Sequence, residues 1–221
     1  MVNNQQKKKV RRNKKIPNRQ EDLYIEYLPS GKVPIISNKI VVASFDPGIV
    51  SMGIRVETWD SETGQVKPEF FGLLRCEESN SAFMKMIVFL DKEKIFDDCD
   101  MIIIEQQLKL IDELHSRYFQ HIISYFMFRL KNKECVIYEI SSKLKSKHFK
   151  QLQNCTKHEL KSNTINLAIN ILEERGDIWS VNVIKNCTAK GTTQKYFKGQ
   201  TDLSDAIVQI VAFFKELGIL S

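Results

Sequence analysis

The sequence predicts a mixed α/β domain in which a three-strand antiparallel meander leads into β-α-β crossovers. Two observations predict it. Short β-rich runs are separated first by turns alone and later by helix-length segments, the order of a meander followed by parallel strands. The chain has 221 residues, 43% apolar and 27% charged, which suits one folded core and excludes a rod or a disordered polymer.

The elements follow in order. Residues 1–35 are polar and basic, lack periodicity and are punctuated by Pro17, Pro29 and Pro34. They read as a flexible tail and lead-in. The domain itself spans 36–221, and its fold starts near Lys39. Residues 39–45 form a β-rich run fit for a buried strand. After the turn Asp46-Pro47-Gly48, residues 53–57 alternate apolar and polar, the pattern of a half-buried strand. A third strand over 69–75 completes the meander. A helix is expected over 81–92, with Ser81 as its cap. The apolar run 101–104 suits a central strand. A long helix over 110–131 repeats Ile111, Leu114, Tyr118, Ile122, Tyr125 and Phe126 at three- and four-residue steps. Ile123 and Phe128 widen its apolar surface, which could cover the core or bury a dimer partner. Residues 135–140 read as a strand. A helix over 156–174 carries a capping-box pattern, Thr156 then Glu159, and stops at Gly176. Residues 177–200 are mixed. A last helix runs over 202–217 to Gly218, apolar at Ile207, Ile210, Val211 and Phe214.

Charge narrows the partners. The chain holds 33 Lys+Arg against 27 Asp+Glu, a net of +6. Residues 1–20 contain eight of the basic residues (Lys7, Lys8, Lys9, Arg11, Arg12, Lys14, Lys15, Arg19) and no acid. The remainder therefore has 25 basic and 27 acidic groups, a net of −2. A basic tail on a near-neutral domain points to a polyanion, nucleic acid first, or to a nuclear address. The five cysteines, at 76, 99, 135, 155 and 187, form no CxxC. Cys155 and His158 have no second ligand pair, so neither zinc nor a disulfide framework is supported. No apolar run reaches the roughly 18–20 residues of a membrane span, and no secretory signal is seen. An intracellular, soluble protein, cytoplasmic or nuclear, is expected.

Four carboxylates carry the chemistry. Asp46 ends the first strand and Glu105 ends the 101–104 run, where parallel sheets place their sites. They would lie side by side if their strands are neighbours. Gln106 and Gln107 add amides able to orient water or backbone. Asp202 and Asp205 are three apart at the expected start of the last helix and so share one face. Ala206 and Ile207 beside them aim the pair toward protein. Acids near a helix start are favoured by its dipole, which would explain at least one of them. Convergence of all four demands raised pKa values or cations. Oxygen-only ligands favour Mg²⁺ or Mn²⁺, and two such ions suit in-line phosphoryl displacement.

The segment Ser44-Phe45-Asp46-Pro47-Gly48, with Gly53 beyond it, resembles the first motif of RuvC-type Holliday junction resolvases. Ile102-Ile103-Ile104-Glu105-Gln106 resembles their second motif and Asp202-Leu203-Ser204-Asp205-Ala206 their last. The Glu-Gln-Gln form and the basic leader lean toward the resolvases of poxviruses and other large DNA viruses. The resemblance covers about 39–217 and implies a ribonuclease H-like fold working as a homodimer. It implies Mg²⁺-dependent, symmetric hydrolysis of four-way DNA junctions, with Mn²⁺ able to substitute and two ions per site. Asp46, Glu105, Asp202 and Asp205 match the four metal-binding acids, with Asp46 bridging both ions. Tyr138 to Lys145 resembles the stretch that carries the family's catalytic lysine, with Lys145 the candidate and Lys143 its rival. A viral member would act where viral DNA replicates in the host cell.

Two features depart from the bacterial pattern. The interval from Glu105 to Asp202 is longer, and no glycine-rich loop lies between Lys145 and Lys161. Lys157, Lys161, Lys190, Lys195 and Lys198 could contact phosphates instead, or form a solvated face. Tyr196 and Phe197 could stack on an unpaired base or pack in the core. Two alternatives keep the fold or the partner: ribonuclease H action on RNA–DNA hybrids, and non-catalytic junction binding. A sugar-kinase or actin-like ATPase also ends its first strand in Asp-x-Gly, but about 180 folded residues leave no room for its second domain.

Overall fold

A computed structural model describes residues 23–31, 38–48, 51–75, 81–106, 113–187 and 193–220. One six-stranded sheet organises them, in the order β1-β6-β5-β2-β3-β4. The strands are β1 (Tyr24–Tyr27), β2 (Lys39–Asp46), β3 (Ser51–Asp60), β4 (Val66–Arg75), β5 (Met101–Glu105) and β6 (Val136–Ile140). The β2–β3–β4 meander is antiparallel, and β5 lies parallel to both β2 and β6. The helices are α1 (Ser81–Lys92), α2 (Glu113–Arg129), α3 (Lys143–His148), α4 (Lys157–Glu174), α5 (Ile178–Lys185) and α6 (Thr193–Glu216). Among the described residues, no helix is long and apolar enough to cross a membrane.

Burial on both faces explains the central strands. Met101-Ile-Ile-Ile104 is wholly buried, the continuous apolar run of a strand covered on each side. One face of the sheet packs on α1 and α2 through Phe45, Ile104, Met86, Phe119 and Phe126. The opposite face packs on α6 through Val42, Ile103, Tyr138, Ile210 and Phe213. Helices α4 and α5 extend that layer around Phe71, Ile171, Ile184 and Leu203. The Thr156–Glu159 capping box forms at α4, and Gly176 (φ 70°) and Gly218 (φ 71°) take left-handed conformations after α4 and α6.

Five readings change. The fold begins before Lys39, because Tyr24–Tyr27 adds a strand antiparallel to β6. Four residues between prolines show too little alternation to mark an edge strand. β3 is buried on both faces: Arg55 and Glu57 are fully buried, since α6, with Asp177 and Ser180 at the start of α5, covers the side that alternation assigns to water. There Arg55 donates to Glu57 (2.7 Å), Ser180 (2.7 Å) and Asp177 (2.8 Å). Trp59 Nε1 also donates to Glu57 (2.6 Å), so every charge in this cluster is partnered. Third, α2 ends at Arg129 rather than at residue 131, and most of its broad apolar surface, Ile123 included, lies in the core. Fourth, α3 and α5 are present where no helix is expected.

The fifth change matters most for the site. α6 begins at Thr193, so Asp202 and Asp205 stand inside a helix rather than at its start. The helix dipole therefore no longer accounts for either acid. Gly199, in the stretch read as mixed, lies within α6, where a Cβ would come within 2.9 Å of Cys187 Sγ and 3.0 Å of Leu73. The basic tail through residue 22, Cys76, Gln107, Ile111 and Lys190 lie outside the described residues, as do the side chains of Ser81, Leu114, Lys195, Tyr196, Phe197 and Lys198.

Candidate active site

The parallel strands bring two carboxylates to one end of the sheet. Phe45 pairs with Ile104, so Asp46 and Glu105 follow on adjacent strands, as the apolar runs before them foretell. Both lie on the face covered by α6. This is the crevice beyond the carboxyl ends of parallel strands.

Gly53 brings α6 to that crevice. It pairs with Asp46 across the meander, and a Cβ on it would lie 2.0 Å from the carbonyl oxygen of Asp202. Only glycine lets the helix backbone approach this closely. Ser51, two residues earlier on β3, donates to the Asp202 carboxylate. One turn on, Asp205 faces Glu105 across the ammonium of Lys145.

Lys145 comes from α3, the short helix that follows β6, and buried Leu144 anchors that helix. Its Nζ donates to Glu105 Oε2 at 2.7 Å and to Asp205 Oδ1. Lys143, the rival, lines the same adjoining groove as Lys145.

Gln209 is the residue that sequence reasoning missed. It is fully buried on α6, one turn beyond Asp205. Its Nε2 donates to Glu105 Oε2 at 2.5 Å, and its Oε1 accepts from Ser44 Oγ at 3.0 Å. The signal was a lone amide in the apolar run Ile207-Val208-Gln209-Ile210. Gln106, by contrast, turns away from the four acids: its Nε2 donates to the buried Glu139 at 2.6 Å.

The electrostatics follow from this crowding. Burial, then the charges of Asp205, Glu105 and Asp202, push the Asp46 carboxyl well above its ordinary range. Burial also raises Asp205; Lys145 opposes the rise and Glu105 adds to it. Burial works against the Lys145 ammonium, but Asp205, Glu105 and Asp46 outweigh it and hold the charge. One lysine thus partly neutralises an acidic cluster that repels itself.

The donor set suits a hard divalent cation, because it offers carboxylate oxygens only and carries excess negative charge. Among the described residues, no group of three or more His, Cys, Asp or Glu forms a ready-made ion cage. The Lys145 ammonium occupies the space between Glu105 and Asp205. A groove of about 400 Å³ opens beside the acids, lined by Lys143, Lys157, Lys161, Ser146 and Thr164, with Glu105 and Asp205 in its wall.

Comparison with solved structures places the fold. A Thermus thermophilus RuvC in complex with Holliday junction substrate superposes with a TM-score of 0.51 at 10% identity, over 81% of this chain and 98% of that one. The fowlpox virus resolvase in complex with substrate Holliday junction DNA gives 0.52 at 12% identity, over 80% and 99%. The mixed sheet flanked by helices is thus the ribonuclease H-like fold of RuvC-type resolvases. No family model and no curated protein matches the sequence.

Proposed function

We propose that the chain is a divalent-metal-dependent endodeoxyribonuclease of the RuvC type, which resolves four-way DNA junctions by hydrolysing phosphodiesters symmetrically as a homodimer. The observation that carries this reading is the gathering of Asp46, Glu105, Asp202 and Asp205, with Lys145 between Glu105 and Asp205, at the strand ends of a ribonuclease H-like sheet. Such a cluster would repel a nucleic acid unless cations intervene.

Asp46, Glu105, Asp202 and Asp205 would hold the ions. The chemistry that bound Mg²⁺ or Mn²⁺ supplies is activation of a water and stabilisation of the leaving oxygen. Gln209, set by Ser44, fixes the orientation of Glu105. Ser51 does the same for Asp202. Lys145 holds Glu105 and Asp205 in register and keeps a positive charge beside the place a phosphate must enter. The lysines of the groove give the backbone a cationic path to that place. The dimer reading rests on the family likeness and on apolar side chains left on the α1–α2 layer: Met84 and Val88, each 60% exposed, and Phe128, 73% exposed.

A nicking assay on a labelled mobile four-way junction tests the proposal, with linear duplex and an RNA–DNA hybrid alongside, in Mg²⁺ and in EDTA. Paired cuts on the junction alone, abolished by EDTA, are expected. Cuts confined to the hybrid would move the function to ribonuclease H action. Tight junction binding with no cutting in Mg²⁺ would refute catalysis and leave a binding module.

A further inference from the structure

We infer that Glu139 and Tyr27 are positioning residues for the Glu105 carboxylate, acting through Gln106 from the opposite face of the sheet. The inference rests on the nuclease reading and adds how one metal-binding acid is held from behind.

The register brings the three side chains together. Glu139 on β6 pairs with Ile104 on β5 and with Ile25 on β1. Side chains alternate along a strand, so Gln106 shares the face of Ile104, and Tyr27 shares the face of Ile25. Both are diagonal neighbours of Glu139, one on each side. Glu105 lies between Ile104 and Gln106 and points to the other face. There its Oε2 accepts from Lys145 at 2.7 Å and from Gln209 at 2.5 Å.

Hydrogen bonds close the arrangement. Glu139 Oε1 accepts from Gln106 Nε2 at 2.6 Å, and Glu139 Oε2 accepts from the Tyr27 hydroxyl at 2.7 Å. The Gln106 backbone N donates to the Ile140 carbonyl at 2.7 Å. Gln106 is thus held by main chain and side chain directly after β5 ends. Glu105 is the last residue of β5, and a strand end frays unless the next residue is tied down. The tie fixes the backbone from which the Glu105 carboxylate projects.

A carboxylate is a costly choice for burial alone. Glu139 is 4% exposed, and among the described residues its hydrogen-bond partners are both neutral. A buried charge with neutral donors only loses more hydration than it regains, and an apolar side chain fills such a place without that loss. What an apolar side chain lacks is a pair of acceptor oxygens, and these join Tyr27 to Gln106. Tyr27 stays a donor, because burial and then its bond to Glu139 push the phenol up to about 12. Without that bond the carboxylate would turn about its loosely held terminal torsion and release Gln106.

The test uses the full-length chain. It follows Mn²⁺ affinity by electron paramagnetic resonance, single-turnover junction cleavage across a Mg²⁺ series, and junction affinity in EDTA. Gln106→Met and Glu139→Met should each weaken Mn²⁺ binding about tenfold and raise the Mg²⁺ needed for cleavage by the same factor. Junction affinity in EDTA should stay within about threefold, since neither residue contacts phosphate. Glu139→Gln keeps an acceptor for Gln106 and a partner for Tyr27, and should return Mn²⁺ affinity to within about threefold of the unaltered protein. Tyr27→Phe should weaken Mn²⁺ binding about threefold alone and not at all on top of Gln106→Met, because it acts through that residue. Unchanged Mn²⁺ affinity in Gln106→Met would overturn the inference and leave a packing cluster. Gln106 is only half-buried, so this variant reports even where Glu139→Met fails to fold. A Glu139→Gln loss equal to that of Glu139→Met would overturn the hydrogen-bonding role, and equal losses from Tyr27→Phe in both backgrounds would overturn the route through Gln106. An unaltered protein that neither binds Mn²⁺ nor cuts the junction would overturn the nuclease reading itself.

Discussion

Gly53→Ala is the most demanding test of the site, because it adds one methyl group to a residue that touches no substrate. The new Cβ would stand 2.0 Å from the Asp202 carbonyl oxygen and 2.4 Å from its carbon, whereas real Cβ contacts essentially never fall below 3.0 Å. The obstacle is helix backbone, so no side chain can rotate out of the way. α6 must retreat by about 1 Å or more, carrying Asp202 and Asp205 away from Asp46 and loosening the Ser51 bond. A displacement of about 1 Å in a reacting assembly costs on the order of 100-fold in rate. Overpacking itself costs about 1–3 kcal/mol. For a domain of this size that is a fall of about 2–12 °C in Tm. The assay is single-turnover junction cleavage in Mg²⁺, with junction affinity in EDTA and thermal melting beside it. Cleavage should fall about 100-fold while affinity holds within about threefold. Cleavage within twofold of the unaltered protein, with normal melting, would show that Asp202 and Asp205 need not sit where Gly53 places them.

The remaining predictions probe the charges. Asp46→Asn should abolish cleavage and raise Tm in EDTA, more at pH 8 than at pH 5. A carboxyl with a raised folded pKa stabilises fully below its unfolded range and loses that stability as pH rises through the raised value; an equal gain at both pH values would refute the crowding. Lys145→Met should lower Tm in EDTA, and Mg²⁺ should restore more of the loss than it adds to the unaltered protein; equal Mg²⁺ shifts would refute Lys145 as the counter-charge. Gln209→Met should weaken Mn²⁺ binding, followed by electron paramagnetic resonance, by about tenfold through loss of the donor to Glu105; an unchanged affinity would make Gln209 a packing residue only. Arg55→Met removes the cation that Glu57 and Asp177 share, leaving buried Glu57 only its longer ion pair with Arg175 (3.4 Å), and should cost about 3–5 kcal/mol, read by urea unfolding; a cost under about 1 kcal/mol would refute the charge network.

Local patterns foretold the positions of Asp46 and Glu105. A carboxylate that ends an apolar run is costly anywhere but at a strand end, so the run and the acid together mark the place. The capping box of α4 was equally legible, since its two partners are three residues apart. Lys145 over Lys143 was not decided by pattern alone: both follow β6 and line the groove, and the turn of α3 brings Lys145 to Glu105 and Asp205. Residues 177–200 read only as mixed, which hides the extent of α6; Gly199 within them serves a close contact with Cys187 and Leu73.

By itself, then, the sequence determined the meander, the crossovers, the candidate acids and the charge of the tail. These follow from periodicity and from the cost of burying an unpaired charge. The tertiary structure alone decided that β1 joins the sheet, that Arg55 and Glu57 are core, that Gly53 admits α6, and that Gln209 and Lys145 hold Glu105. Each of those depends on which faces meet, and partners 40 to more than 150 residues apart in sequence leave no local period to read.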